Sequence, residues 1–241
     1  MDKELYLEMR AMEDHHWWFT ARREILTSIL RTQIPLTNLR ILEIGCGTGG
    51  NLEMLSRFGQ LSALEPQVNA WAMAKARGIC PVYNLPLNEQ FNPEQPVELA
   101  CMLDVLEHIE DQQQALAHVR RILTPGGRLL LTVPAFQFLW SGHDEKHHHY
   151  RRYRRPQLVE LLTREGFRVD YCSYFNTLLF PLITSVRLLQ KTIGMEGSHV
   201  TATSKPLNTL LHHLFAFERR LLARWTLPFG VSVVTIASLS E

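Results

Sequence analysis

The stretch from Leu39 to Gly50 constrains the fold most, because it joins a predicted strand to a glycine-rich turn. Residues 39–44 are mainly Leu and Ile, which predicts a short buried strand. Four glycines follow within six positions, and the residues after Asn51 have helical spacing. A strand, a glycine turn and a helix present free backbone N–H groups to a ligand at the helix N-terminus. The stretch therefore predicts a nucleotide-binding βα unit.

The glycine pattern by itself leaves the ligand open. Gly45, Gly47 and Gly50 satisfy G-x-G-x-x-G, and Glu65 follows at the distance expected of a ribose-binding acid, so a nicotinamide or flavin site is one reading. Glu43 stands two residues before the first glycine. A carboxylate there repels a pyrophosphate and favours a ligand with an ammonium or sulfonium group. A tight turn without a ligand is the third alternative, but four glycines are entropically costly for that purpose.

Composition predicts a globular cytoplasmic enzyme. The 241 residues carry a net charge of +1, with 46% hydrophobic and 20% charged residues, so one α/β domain is expected and no overall field attracts nucleic acid. The apolar stretches are too short to span a bilayer. Four isolated cysteines indicate buried thiols in a reducing compartment. They are Cys46, Cys80, Cys101 and Cys172.

Strands alternate with helices along the chain, which predicts parallel βαβ units and a doubly wound sheet. A helical cap is expected over 1–37 and the sheet domain over 38–241, with a turn at 124–127. Within that domain, residues 176–228 predict a helical insertion with a loop over 193–205. The insertion either packs on the sheet edge, which we favour, or forms an acceptor pocket or a membrane-facing surface. The predicted strands cover 39–44, 61–65, 79–83, 97–104, 128–133, 167–175 and 231–240.

Four motifs, taken in order, resemble those of class I S-adenosylmethionine (SAM)-dependent methyltransferases. The resemblance is greatest to the type-11 group, which includes the ubiquinone-biosynthesis O-methyltransferase. It implies a Rossmann-like seven-stranded sheet, mostly parallel with an antiparallel last strand, with SAM as cofactor and methyl transfer to oxygen. The motifs are Glu43-Ile-Gly-Cys-Gly-Thr-Gly49, Glu65, Leu103-Asp-Val-Leu-Glu-His-Ile109 and Leu123-Thr-Pro-Gly-Gly-Arg-Leu-Leu-Leu131.

The resemblance implies a cofactor site at the carboxyl ends of the strands. It assigns the methionine end of SAM to the glycine turn and Glu43, the ribose to Glu65, and the donor end to Leu103 and Asp104. Leu85, after the third strand, is expected beside the adenine. The complete expected set is Glu43, Gly45, Cys46, Gly47, Gly49, Glu65, Pro66, Leu85, Leu103 and Asp104.

A hydroxyl acceptor needs its proton removed, and histidine suits that role. The candidate bases are His108, His143 and His149; for each, a helix cap or a surface residue is the alternative. Aromatic and arginine side chains in the predicted cap and in the stretch 150–153 predict an acceptor site. The alternatives are a cap that its aromatic side chains pack onto the sheet and a solvated basic turn. These substrate-binding candidates are Trp18, Arg22, Tyr150, Arg151, Arg152 and Tyr153.

We expect no metal, although Asp144, Glu145 and three histidines at 147–149 lie together. Consecutive side chains do not converge easily on one ion, and no second ligand set is evident in the sequence. The flanks His16-Trp-Trp-Phe19 and His149-Tyr-Arg-Arg-Tyr153 resemble a subset of the same enzymes associated with surface-glycan or lipid-carrier pathways.

The expected partner is a small-molecule or lipid-linked acceptor, not nucleic acid. Residues 176–225 are candidates for contact with the inner face of a membrane, where an apolar stripe adjoins several arginines. The alternatives are an NAD(P)-dependent oxidoreductase that uses the same glycine loop and a non-catalytic SAM-binding, membrane-associated module.

Overall fold

A computed structural model describes residues 3–34, 37–192 and 203–239 of the chain. Seven strands form its central sheet. They are β1 (Leu39–Ile44), β2 (Gly59–Leu64), β3 (Val82–Tyr83), β4 (Val97–Leu103), β5 (Leu123–Pro134), β6 (Phe167–Phe175) and β7 (Ser232–Leu239). The strand order is β3-β2-β1-β4-β5-β7-β6. The pairs from β3 to β5 are parallel, whereas β7 runs antiparallel to β5 and β6. The predicted Rossmann-like sheet with an antiparallel last strand is confirmed.

The helices follow the strands in the predicted alternation. They are α1 (Lys3–Met12), α2 (Trp17–Gln33), α3 (Leu52–Ser56), α4 (Val68–Lys75), α5 (Gln112–Ile122), α6 (Gly142–Lys146), α7 (Arg155–Arg164), α8 (Phe180–Thr192), α9 (Lys205–Ala216) and α10 (Glu218–Leu222). A short 3-10 turn, Leu106–His108, follows β4.

The sheet buries both faces, and β4 shows how. Leu99, Cys101 and Leu103 join one buried apolar cluster, whereas Ala100 and Met102 join the other. Alternate residues of a strand point to opposite faces, so a strand covered on both sides is apolar throughout. The first cluster lies under α2, α3 and α9, and the second lies under α5 and α7. The sheet therefore forms the middle layer of three.

Two local predictions differ from the structure. The third strand was expected over 79–83 but has only two residues, Val82 and Tyr83, so the sheet ends in a short edge strand. The predicted turn at 124–127 lies inside β5, where the pairing with β4 jumps from Leu123 to Arg128. Gly126 provides the positive φ of +70° that this irregularity uses. Most of the predicted loop over 193–205 lies outside the described residues.

The N-terminal and C-terminal helices pack against each other on one face of the sheet. Trp18 of α2 stacks on Phe215 of α9 with ring centroids 5.3 Å apart. The Trp17 backbone N–H donates to Asn208 Oδ1 at 2.8 Å. The inward face of α2 is fully buried; it consists of Ile25, Leu26, Ile29 and Leu30. Packing is therefore one role of the insertion, as favoured from the sequence.

Contacts with the rest of the protein do not bury the whole surface of the insertion. None of the helices in the described ranges combines the length and the apolar character that crossing a bilayer requires. However, α8 and α9 expose large aliphatic side chains, including Leu182 at 57% and Leu210 at 64% of full exposure. Such side chains usually face inward, so this surface has room for an apolar partner.

Candidate active site

A cavity of about 1090 Å³ lies where the parallel strands end, beneath α1 and α2. It brings together most residues singled out in the sequence. Those that line it are Trp18, Arg22, Gly45, Cys46, Gly47, Glu65, Pro66, Leu85, Leu103, Asp104, His108, His143, His149, Tyr150 and Arg152. Glu43, Gly49, Arg151 and Tyr153 are not among the lining residues. Ligand sites of open α/β sheets form at this edge.

The glycine turn has the left-handed backbone that glycine adopts readily. The φ angles are +69° at Gly45, +57° at Gly47 and +86° at Gly49. A Cβ on Gly47 would meet nothing within 4 Å, so its backbone borders open space in the cavity. A Cβ on Gly49 would lie 2.8 Å from Arg77 Cδ and 3.1 Å from Ala74 Cα. Gly49 thus allows close packing of the turn on α4, and Gly47 offers its backbone to a ligand.

Glu65 is held rigidly at the cavity wall, immediately after β2. Its Oε2 accepts the N–H of Gly47 and its Oε1 accepts the N–H of Gln67, both at 2.8 Å. Burial raises the pKa of the carboxyl group, and these two hydrogen bonds lower it in part. Each oxygen keeps a lone pair, so the carboxylate can still accept hydrogen bonds from two hydroxyl groups.

Glu43 lies beneath the glycine turn, not in the cavity wall. It is 1% exposed, and Asn51, which does line the cavity, donates to its Oε1 at 3.0 Å. Its Oε2 has no hydrogen-bond partner within the described ranges. Burial raises the pKa of Glu43 to about 7, and the bond from Asn51 opposes that rise. Asn51 therefore stands between Glu43 and the cavity.

Asp104 is fixed at the end of β4 by two neighbours. Arg22 Nη2 lies 2.9 Å from Asp104 Oδ2 and donates to Thr132 Oγ1 at 2.7 Å. Thr132 Oγ1 in turn donates to Asp104 Oδ1 at 2.9 Å. Asp104 has a φ of +60°, which is uncommon for a non-glycine residue. The structure gives Arg22 a positioning role, because its charge is matched by Asp104.

Glu13, at the end of α1, lines the cavity and was not singled out in the sequence. Its Oε1 accepts the Thr48 hydroxyl at 2.7 Å and pairs with Arg77. Arg77 Nε also donates to the Thr48 carbonyl at 2.8 Å. These bonds connect the N-terminal cap to the glycine turn. The available sequence signal was the acidic pair Glu13-Asp14 within the predicted helical cap.

Four histidines lie together at the far end of the cavity. The ring centroids are 4.5 Å apart for His108 and His149, and 4.0 Å apart for His143 and His147. Burial, followed by the charge of His149, lowers the pKa of His108 to about 4. Burial also lowers the pKa of His143 to about 4. Both rings are therefore neutral near pH 7 and can accept a proton or a ligand.

Asp144 organises the loop that carries these histidines. It accepts two hydrogen bonds from Arg152, from Nε at 2.7 Å and from Nη2 at 2.8 Å. His149 Nδ1 lies 2.8 Å from Asp144 Oδ1. Burial raises the pKa of Asp144, but the bonds from His149 and Arg152 outweigh it and hold that pKa well below its usual range. Because Asp144 is ionised, His149 donates its Nδ1 proton to it and keeps Nε2 free.

Glu107 is the second lining residue that the sequence did not single out, although it directly precedes His108 in the third motif. It is 1% exposed. Neither of its carboxylate oxygens hydrogen-bonds to a described residue. Burial and the nearby charge of Asp104 raise the pKa of Glu107 well above its usual range. Buried carboxyl groups without a hydrogen bond are rare in native structures, so the position of Glu107 needs a physical explanation.

The predicted basic cluster is dispersed. Tyr150 is exposed and lines the cavity, whereas Arg151 points away and donates to the Glu110 carbonyl at 2.8 Å. Tyr153 is buried, and its hydroxyl donates to Gln112 Oε1 at 2.9 Å. Arg152 is neutralised by Asp144. These contacts separate Arg151 from Arg152, which the sequence placed together in the expected acceptor site.

Two sequence comparisons bear on this site. The family model for a methyltransferase domain matches residues 15–171, which is more than half of the chain. A ubiquinone biosynthesis O-methyltransferase of Xylella fastidiosa (strain 9a5c) is 26% identical over 220 residues, covering 77% of this chain and 89% of that protein. The residues matched by the family model include the glycine turn, Glu65 and His108 of the third motif.

Solved structures share the fold. An S-adenosylmethionine-dependent methyltransferase from Mesorhizobium loti superposes with a TM-score of 0.58 at 16% identity, covering 94% of this chain and 99% of that one. Magnesium protoporphyrin IX methyltransferase from Synechocystis PCC 6803, with bound SAM, gives a TM-score of 0.53 at 13% identity, covering 92% and 81%. At these identities the likeness establishes a common architecture.

Proposed function

The chain belongs to the methyltransferase domain family, and on that basis we propose that it transfers a methyl group from SAM to an oxygen atom of a small-molecule or lipid-linked acceptor. It is a SAM-dependent methyltransferase with the class I sheet, as its ordered motifs imply. The family match favours a methyl donor over the nicotinamide that the literal glycine pattern also allows.

The residues at one end of the cavity fit SAM. Glu65 retains lone pairs for both ribose hydroxyls, and Gly47 borders open space where the chain of the cofactor can approach the backbone. Asn51 and Asp104 supply polar atoms for the amino-acid end. When bound, SAM supplies a methyl group that is already activated on a sulfonium sulfur.

The choice of an oxygen acceptor rests on one observation: the residues at the two ends of the cavity differ in their chemistry. Glu65 and Gly47 lie at one end, and the histidine cluster lies at the other. An acceptor hydroxyl beside a neutral His143 or His108 can pass its proton to a ring nitrogen. The helices α1 and α2 cover the site and limit the access of water.

The mouth of the cavity supports an acceptor with an apolar part. Leu182 and Val186 line the cavity and are also exposed on the surface of α8, at 57% and 46%. The same segment carries exposed leucines on α9 and arginines at 219, 220 and 224. We propose that residues 176–225 contact an anionic membrane surface from which a lipid-linked acceptor enters.

Calorimetry with S-adenosylhomocysteine (SAH) tests the cofactor site, with NADH as the control ligand. SAH should bind saturably, and Glu65→Ala should weaken it by about 10-fold or more, because a charged hydrogen-bond acceptor is lost. Saturable binding of NADH without SAH binding would assign the loop to redox chemistry and refute the proposal.

A labelled-methyl screen then tests the acceptor. Methyl-labelled SAM is incubated with the protein and with separate lipid and aqueous metabolite extracts, and mass spectrometry identifies the methylated atom. Methylation of nitrogen or carbon alone would contradict the oxygen assignment. Flotation with vesicles that contain anionic lipid tests the surface: Leu182→Ser/Leu210→Ser should lose binding, and equal flotation of both proteins would refute the membrane contact.

A further inference from the structure

Helix α8 forms one side of the cavity mouth, and its lining residues change from apolar to polar along the helix. Leu182, Ile183 and Val186 come first, and Arg187 and Gln190 follow. These positions recur at the spacing of one helix face, so their side chains share the same side of α8. The helix therefore presents an apolar surface and a cation together. Arg187 was not singled out in the sequence and has no part in the reaction described above.

Arg187 is a half-buried cation without an anion of its own. Its Nη1 donates to the Leu139 carbonyl at 2.7 Å. Among the described residues, no carboxylate forms an ion pair with its guanidinium group. A guanidinium group has five N–H donors, and the carbonyl takes up one of them. Several donors of Arg187 are therefore available to a ligand in the cavity.

The charges around Arg187 leave an excess of positive charge. Burial, followed by the charge of Arg152, lowers the pKa of Arg187 to about 10, and Asp144 opposes this change. Arg187 is still protonated at pH 7. Asp144 already accepts two hydrogen bonds from Arg152, so one carboxylate stands against two arginines. A cation removed from water is costly unless it is paired, and a bound anion would offset that cost.

Arg187 also lies close to the candidate base His143. Burial is the main cause of the low pKa of His143, Asp144 opposes it, and the charge of Arg187 adds to it. Such an effect requires proximity, because interactions between charges fade over about 10 Å at physiological salt. In the other direction, Arg187 follows Val186, which is exposed at the mouth. An anion on Arg187 would therefore have the proposed reaction on one side and an apolar surface on the other.

We propose that Arg187, with Gln190 beside it, binds a phosphate group of the methyl acceptor, and that an aliphatic chain on that phosphate lies along Leu182 and Val186. This inference rests on the proposed function and narrows its acceptor to an amphiphilic phosphate ester. A guanidinium group matches the oxygens of a phosphate in a fork geometry. A phosphate that links two groups keeps its negative charge, whereas a carboxylate loses its charge when it is esterified. Phosphate is therefore the anion that fits between a reacting hydroxyl and a chain.

Calorimetry with simple amphiphiles tests the site without measuring methyl transfer. The full chain is titrated with octyl phosphate, with 1-octanol and with inorganic phosphate, each in the presence and absence of SAH. Octyl phosphate should bind at least about 10-fold more tightly than 1-octanol, because the guanidinium group adds charge-assisted hydrogen bonds. It should also bind at least about 10-fold more tightly than inorganic phosphate, because the chain buries apolar surface on α8.

Arg187→Gln is the test variant, and Arg31→Gln is its matched control. Arg187→Gln removes the charge but leaves the apolar surface, so octyl phosphate should lose its advantage over 1-octanol while 1-octanol binds as before. Arg31 is exposed in the last turn of α2 and is not among the residues that line the cavity. Arg31→Gln loses the same charge and should keep the wild-type preference. Thermal melting verifies that each variant is folded.

Equal affinity of the wild type for octyl phosphate and 1-octanol, or a preference that persists in Arg187→Gln, would overturn the phosphate site. Inorganic phosphate that binds as tightly as octyl phosphate would overturn the role of the chain. SAH calorimetry on the same samples separates this inference from the proposed function. A phosphate preference without SAH binding would leave the site standing and refute the function; SAH binding without the preference would refute the site alone.

Discussion

The substitution Glu43→Gln tests how much the buried carboxyl group under the glycine turn changes the free energy of unfolding. Glu43 is 1% exposed, has one unpartnered oxygen and accepts a single hydrogen bond, from Asn51. Burial raises its pKa from the usual 4.5 to about 7. Gln keeps the size of the side chain and an oxygen for the Asn51 amide but carries no charge at any pH.

The sign and size of the change in unfolding free energy follow from the difference in the pKa of Glu43 between the folded and unfolded chain. A carboxyl group whose pKa is higher in the folded state is easier to ionise in the unfolded chain, so ionisation costs folding free energy. The cost is absent below pH 4.5, grows between pH 4.5 and 7, and is constant above that range. A rise from 4.5 to about 7 corresponds to about 3 kcal/mol, because each pKa unit is worth about 1.4 kcal/mol.

Urea denaturation between pH 4.5 and 8 measures this cost. The unfolding free energy of Glu43→Gln minus that of the wild type should increase by about 3 kcal/mol across the range, because other titrating groups cancel in the difference. A pH-independent difference for Glu43→Gln would refute the reasoning.

Three further perturbations have directions set by the structure. Gly49→Ala should destabilise the protein by about 2 kcal/mol or more, because Ala is strained at a φ of +86° and its Cβ would meet α4, and thermal denaturation should show it. Arg77→Ala should cost about 3–5 kcal/mol by leaving Glu13 buried without its cation, and adding Glu13→Gln should recover part of the loss in urea denaturation. His143→Ala should lower turnover by about 100-fold or more without weakening SAH binding, because it removes a proton acceptor outside the SAM end of the cavity.

Each of these expectations has a result that would contradict it. Gly49→Ala with an unchanged melting temperature would mean that the turn relaxes freely. A double variant no more stable than Arg77→Ala would show that the charge of Glu13 is not the source of the loss. Normal turnover in His143→Ala with the native acceptor would remove that residue from the reaction.

The sequence placed the glycine turn and Glu65 at the same edge of the sheet because the features that do so are local. Residues 39–50 contain the strand, the turn and the start of the helix, so Gly47 follows directly from the pattern. Glu65 ends the next parallel strand, and neighbouring parallel strands present their carboxyl ends at one edge. Glu43 was placed on the correct strand, but its position behind Asn51 depends on packing that a pattern does not encode.

The placement of the arginines and Glu107 depended on contacts between segments far apart in the chain. Arg151 and Arg152 are neighbours in sequence, yet one donates to an exposed carbonyl and the other is buried against Asp144. Their predicted joint role in acceptor binding required a geometry that the loop does not adopt. Glu107 likewise gave no distinct signal, because the cost of a buried, unpartnered carboxylate becomes visible only when its surroundings are known.

The sequence by itself determined the order of strands and helices, the glycine turn and the acid that faces it, because hydrophobic period and backbone preference act over a few residues. Only the tertiary structure decided which distant side chains meet. It brought Glu13 to Arg77 and Glu107 to His149, pairs that are 64 and 42 positions apart in the chain. Such pairs form when helices and loops close over the sheet edge, and the free energy of that closure comes from burial spread over the whole core.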